Sequence, residues 1–315
     1  MIKATSPGKI HIIGEHAVVH NYPAIIAAIN LYMTGKISKS KIKEIIIDKK
    51  PVEKKVIKLS EIFEKAIKSK FKSTKIPTYR LEISSNIPIG RGLGSSAALS
   101  ALISACLLIL TKNDASDAEE IALRGEQFFH GNPSGGDLAT VVNGGFIWFR
   151  KENELLKIIK PLPFSLSKKL KPFILIDSGK PKESTKFMVE KVQRLLNRSK
   201  ETVENTFNDQ EALTQKMLIC LKKGNEKELI QIIKKAHKNL VAIDVVSQRA
   251  QDIVNNIEKL GGAAKISGAG GKKDGSGMLL CYHQNPQKVL KFAANYNLPA
   301  YKVKISPKGL IINES

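Results

Sequence analysis

An α+β fold in two parts, residues 1–170 and 171–315, is what this sequence predicts. Three observations carry the prediction. Strand patterns precede helical ones in the first half of the 315-residue chain, and helical patterns precede strands in the second. A doubly wound sheet would instead alternate the two. The segment Lys160 to Pro172, rich in proline and lysine, separates the halves. Finally, a glycine-rich loop, Gly90-Arg91-Gly92-Leu93-Gly94-Ser95-Ser96, runs straight into an apolar stretch that ends at Leu110.

Each element has its own signal. Lys9 to Gly14, Ala24 to Met33 and Lys43 to Ile47 alternate or run apolar between glycines and prolines, as strands do. Ile62, Phe63, Ala66 and Ile67 give Ser60 to Lys70 the period of an amphipathic helix. Tyr79 to Ile83 is a strand that leads into the glycine loop, and a helix follows the loop. Ser116-Asp117-Ala118-Glu119 reads as a capping box opening a helix that ends near Phe129. Gly131 to Gly136 breaks that helix, and Val141 to Arg150 reads as a strand around Gly144-Gly145. In the second half Phe173 to Ile176 is a short buried strand, and helical periodicity dominates from Ser184 to Leu260. Strands at Ala264 to Ser267 and Met278 to Tyr282 flank a second glycine-rich turn. A helix over Pro286 to Tyr296 and a strand pair between Tyr301 and Ile312 close the chain.

Composition narrows the function classes. The net charge of +22 comes mostly from lysines scattered along the whole length. Nucleic-acid binders cluster arginine and interleave aromatics for stacking, and only 6% of this chain is aromatic. The charge therefore reads as a solvated surface that steers anionic substrates, with no nucleic-acid and no membrane partner expected. Cys106, Cys220 and Cys281 make no paired framework, which fits a reducing compartment. No apolar leader stands at the N-terminus, and the longest apolar run is too short to span a bilayer. The expected location is cytoplasmic.

Chemistry concentrates in three segments. The glycines of the loop free its backbone to turn N–H groups inward. The helix start behind it offers unpaired donors and partial positive charge, so the loop suits a phosphate. It lacks the Lys of a Walker A loop and the spacing of a dinucleotide fingerprint. The N-terminal segment places Lys9 and His11 on one strand face, with Glu15 and His16 just past the strand end. Ala17 stands where a zinc-binding H-E-x-x-H would need its Glu. In the segment from Glu126 through His130-Gly131-Asn132-Pro133-Ser134-Gly135-Gly136 to Asp137, two carboxylates flank a glycine-rich turn. One could hold Mg²⁺ while the other takes a proton from an attacking hydroxyl, the two tasks of phosphoryl transfer. Gly268-Ala269-Gly270 could close over a bound anion.

Together and in this order, these segments resemble the GHMP kinases, over about residues 4–282. Pro7-Gly8-Lys9, Gly14 to His20 and His130 to Gly135 are most similar to the mevalonate-phosphorylating branch of that family. The resemblance implies an N-terminal domain like domain 2 of ribosomal protein S5, carrying the phosphate loop. It implies a ferredoxin-like C-terminal domain, with the final strands free to return to the N-terminal sheet. It further implies transfer of the ATP γ-phosphate to the primary hydroxyl of mevalonate, with Mg²⁺, on the route to isoprenoids. Asp137 would be the catalytic carboxylate with Lys9 beside it, and Ser96 and Glu126 would hold Mg²⁺. Gly90, Arg91, Gly92, Leu93, Gly94, Ser95 and Ser96 would wrap the triphosphate. Glu15, His16, Ala17, Gly268, Ala269 and Gly270 would bind the acceptor. Another small-molecule kinase of the family, acting on phosphomevalonate or a sugar, stays open as an alternative, as does a non-catalytic nucleotide-binding regulator. Monomer and homodimer are both open. Lys272-Lys273-Asp274 stands where the family's third motif continues with glycines, which places charge beside the expected phosphate site.

Overall fold

The computed structural model describes residues 2–72, 74–131, 133–153, 156–305 and 308–314. Asn132 of the second motif, and Ser306 and Pro307 between the final strands, lie outside the described residues. The first part of the chain runs β1 (Ile2–Ile13), β2 (Ala24–Lys39), β3 (Glu44–Ile47), β4 (Lys50–Pro51), α1 (Lys54–Lys70), β5 (Tyr79–Ser85), α2 (Ser95–Leu110), α3 (Ala118–His130), α4 (Gly136–Asn143), β6 (Phe146–Lys151) and β7 (Lys157–Pro161). The second runs β8 (Phe173–Asp177), α5 (Thr185–Arg198), α6 (Lys200–Lys223), α7 (Glu226–Ala242), α8 (Gln248–Lys259), β9 (Ala263–Ile266), β10 (Met278–Tyr282), α9 (Pro286–Asn295), β11 (Ala300–Val303) and β12 (Ile311–Glu314).

Two sheets organise these elements. The larger has the order β12-β1-β2-β5-β3-β4, with β6 also pairing β2 and β7 pairing β6. The smaller is antiparallel in the order β11-β8-β10-β9, the arrangement of a ferredoxin-like βαββαβ unit. Along β8, Ile174 and Ile176 face one core with Met188, Val254 and Phe292, while Phe173 and Leu175 face the other with Met217 and Ile233. Strand alternation thus buries both faces of the smaller sheet. The core under its second face is continuous with that beneath the larger sheet, where α2 packs on β1 and β2. Because α2 is apolar all round, it is buried all round, from Ala97 through Leu108. Cys106, Cys220 and Cys281 are buried and unpaired. Among the described residues no helix is long and apolar enough to cross a membrane.

Three local expectations are corrected. Val141 to Asn143 belongs to α4 rather than to a strand, and β6 starts only at Phe146. Leu138 and Val141 pack with Ala97, Ala101 and Ala122, and tertiary burial overrides the β preference of the valines. Ser116 does not open a capping box. The Asp114 carboxylate accepts the Ser116 N–H at 2.9 Å, making a short 3₁₀ turn, and α3 begins after it at Ala118. The two final strands do not pair with each other. β11 joins β8, and β12 crosses back to β1.

Candidate active site

Lys9 lies on β1 between two register shifts, at Pro7/Gly8 and His11/Ile13. Its backbone N–H donates to the carbonyl of Leu93 at 3.0 Å, which holds the glycine loop against the strand. Gly94 sits at the N-cap of α2 with φ 70°. A Cβ there would lie 2.6 Å from Lys9 Cγ, so the bare α-carbon opens the path of the lysine stem. The ammonium then reaches Asp137 Oδ2 at 2.8 Å. Asp137 is in the first turn of α4, and its Oδ1 is 3.5 Å from His11 Nε2. Strand alternation had placed Lys9 and His11 on one face, and both meet the same carboxylate. Burial opposes ionisation of Asp137, but the Lys9 charge and the His11 contact outweigh it, and the carboxyl sits well below the usual carboxylate range.

The start of α2 faces this pair. No side chain caps the helix, so its first N–H groups stay available to an anion. Gly90, Gly92 and Gly94 all have positive φ, and the Leu93 side chain is buried. Arg91 points away from the helix start, its Nε donating to Asp177 Oδ2 at 2.6 Å. Across from Ser96, α3 presents Glu126 and His130. Ser96 Oγ and His130 Nε2 share a hydrogen bond of 3.0 Å, and His130 Nε2 is 4.0 Å from Glu126 Oε2. Glu126 is 4% exposed, and its Oε1 is buried with no partner. Burial first, and then the Asp137 charge, push its carboxyl up to about 7. An orphaned carboxylate oxygen beside a hydroxyl fits a hard cation that takes few protein oxygens and completes its shell with phosphate and water.

The second half supplies the opposite wall. The His11 N–H donates to Ser267 Oγ at 3.0 Å, and that hydroxyl donates back to the His11 carbonyl at 3.2 Å. His16, at φ 58°, donates from Nε2 to the Ala269 carbonyl at 2.9 Å, and burial lowers its pKa to about 4. Gly268 stands open, whereas Gly270 is pressed onto the Val245 carbonyl. Glu15 and Ala17, expected beside the acceptor, are both buried. The Glu15 carboxylate is bound by the Lys265 ammonium, and Ala17 packs in the core of the second part. The charged insertion does not project freely toward the loop. Lys272 pairs with Asp244 at 2.5 Å, Asp274 pairs with Lys182 at 2.9 Å, and the Lys273 N–H donates to Glu183 at 3.1 Å. Lys265 and Ser267 fall in the segment Lys265 to Gly271 that resembles the family's third motif, but neither they nor Asp177 were given a role from sequence. They are the far ends of contacts to Glu15, His11 and Arg91, and only the fold brings them together.

Known proteins give an independent comparison. Residues 55–145 match the model of the GHMP kinases N terminal domain. The chain is 32% identical to the mevalonate kinase of Archaeoglobus fulgidus over 277 residues, covering 85% of this chain and 89% of that one. It is 27% identical to the mevalonate kinase of Schizosaccharomyces pombe, over 85% and 80% of the two chains. Among solved structures, the L. major mevalonate kinase in complex with R-mevalonate superposes with a TM-score of 0.81 at 20% identity, covering 98% of this chain and 96% of that chain.

Proposed function

The chain belongs to the GHMP kinase family, and on that footing we propose that it transfers the γ-phosphoryl group of ATP to the primary hydroxyl of mevalonate, giving 5-phosphomevalonate. The observation that carries the reading is the Lys9–Asp137 pair, a buried ammonium against a half-buried carboxylate, beside the uncapped start of α2. A paired anion and cation suit an alcohol, and free helix N–H groups suit a triphosphate. We assign the acceptor to the wall formed by His16, Gly268 and Ala269, with Glu15 holding that wall through Lys265. The division into residues 1–170 and 171–315 belongs to the same proposal, with β12 returned to the first sheet.

The geometry supports the following roles. Asp137 orients the hydroxyl by accepting its hydrogen bond. A carboxyl held so low is a weak base, so it takes the proton late, once the oxygen has begun to bond to phosphorus. Lys9 keeps Asp137 ionised and stabilises charge on the group in transit. The backbone of Gly90 to Ser95 directs N–H donors at the phosphates. Ser96 and Glu126 would hold Mg²⁺, which when bound neutralises phosphate oxygens. A nearby cation favours the ionised form of Glu126 that burial disfavours.

Because Lys272 and Asp274 are each paired locally, their charges give no reason to prefer a more anionic acceptor. Coupled ADP release from MgATP with mevalonate, phosphomevalonate and galactose supplied separately tests the reading. Turnover with mevalonate is expected, and Asp137→Asn should lower its kcat at least about a hundredfold. Turnover confined to another acceptor would overturn the substrate assignment. ATP binding without turnover on any of the three would favour a regulator.

A further inference from the structure

Wrapping a triphosphate takes backbone N–H groups, and the Arg91 side chain is not needed for it. Arg91 stands between Gly90 and Gly92, both at positive φ. The far end of that loop is anchored, with Leu93 buried and its carbonyl bonded to β1. Among the described residues, the near end has one directional tether, the 2.6 Å bond from Arg91 Nε to Asp177 Oδ2. Asp177 is itself held firmly. It closes β8, its side chain is 10% exposed, and its Oδ1 accepts the Gly179 N–H at 2.8 Å. The loop lies directly on turns of the second part. A Cβ on Gly92 would be 3.2 Å from the Ser267 carbonyl, and one on Gly277 would be 3.5 Å from the Arg91 carbonyl.

We propose that the Arg91–Asp177 pair straps the phosphate loop to the second sheet and so sets the affinity for MgATP, with both side chains acting as positioning residues. The proposal rests on the placement of ATP at the loop. A glycine-rich loop without a tether must be ordered at the moment of binding, and that cost is subtracted from affinity. A charge-assisted bond to a fixed carboxylate orders it beforehand. The sign of one substitution separates this from simple charge steering. Asp177→Asn removes a negative charge from the neighbourhood of an anionic ligand, and electrostatics alone would tighten MgATP binding. The strap predicts the reverse. Asn keeps an oxygen for the Gly179 N–H but turns its amide donors on the Arg91 guanidinium, which frees the loop.

The test is calorimetric titration of the full chain with MgATP, with no acceptor present, so that an error in the acceptor assignment leaves it readable. Asp177→Asn and Arg91→Gln should each weaken binding about tenfold, and the double variant should be no worse than either single one. The KM for ATP should rise more than kcat falls. Unchanged or tighter binding in Asp177→Asn overturns the proposal, as does a wild type that does not bind MgATP. A second measurement depends only on the Arg91 substitution. Amide hydrogen exchange across residues 88–94 of the unliganded Arg91→Gln protein should be faster than in the wild type. Equal exchange would overturn the strap even if Asp177→Asn does not fold.

Discussion

Replacing Lys9 with Met removes one charge and keeps most of the stem that passes Gly94. At 2.8 Å from Asp137, and in a medium of effective dielectric about 20, that charge contributes on the order of 6 kcal/mol of attraction. It is what outweighs the burial opposing ionisation of Asp137, with the His11 contact as a smaller aid. Two consequences follow. The transferring group loses a preorganised positive partner, which costs about a hundred- to a thousandfold in kcat. The Asp137 carboxyl also climbs back toward the ordinary carboxylate range. In the wild type the Lys9 charge keeps Asp137 ionised across the assay range, and activity there has no acid limb from it. In Lys9→Met an acid limb should emerge as pH falls toward about 5, because protonation removes the oxygen that orients the hydroxyl. The assay is coupled ADP release at saturating substrates between pH 5 and pH 8. A kcat within tenfold of wild type, with an unchanged pH profile, would refute the assignment of Lys9.

Three further outcomes are expected. Ser96→Ala should raise the Mg²⁺ concentration giving half-maximal activity, and an identical Mg²⁺ titration would remove Ser96 from the metal site. Gly94→Ala should cost about 1–2 kcal/mol in backbone strain at φ 70° and push the Lys9 stem aside, lowering both the denaturation midpoint and kcat; an unaltered kcat would show that Lys9 does not depend on that passage. Burial lowers the pKa of both His16 and His237 from 6.5 to about 4, so between those values the unfolded chain binds protons that the folded chain refuses. Stability should therefore fall as pH drops from 7 to 5, by about 2 kcal/mol for each histidine at pH 5, and equal urea midpoints at the two pH values would refute it.

Where the physics is local, the sequence was legible. The strand face carrying Lys9 and His11, the glycine loop, the apolar helix behind it and the periodicity of the four central helices of the second part all follow from spacing within a few residues. Local patterns misled where a distant contact decided the outcome. Val141 looks like a strand residue until Ala97, Ala101 and Ala122 offer it a helical packing site. Ser116 looks like a helix cap, but here the competitor is itself local: the Asp114 carboxylate, two residues earlier, takes its N–H. Two charges of the insertion looked free until Asp244 and Lys182 supplied partners for Lys272 and Asp274.

The sequence by itself determined the parts of the site, because glycine spacing, a helix start and a Lys-His alternation are properties of neighbouring residues. Tertiary structure alone decided how those parts meet. Ser267 grips the backbone of β1 at His11, Lys265 buries the Glu15 carboxylate, and Asp177 holds the phosphate loop through Arg91. Each of these contacts joins residues far apart along the chain. No local periodicity encodes such a pairing. Its geometry is fixed only when two sheets share a core and the cost of closing the intervening chain has already been met by hydrophobic burial.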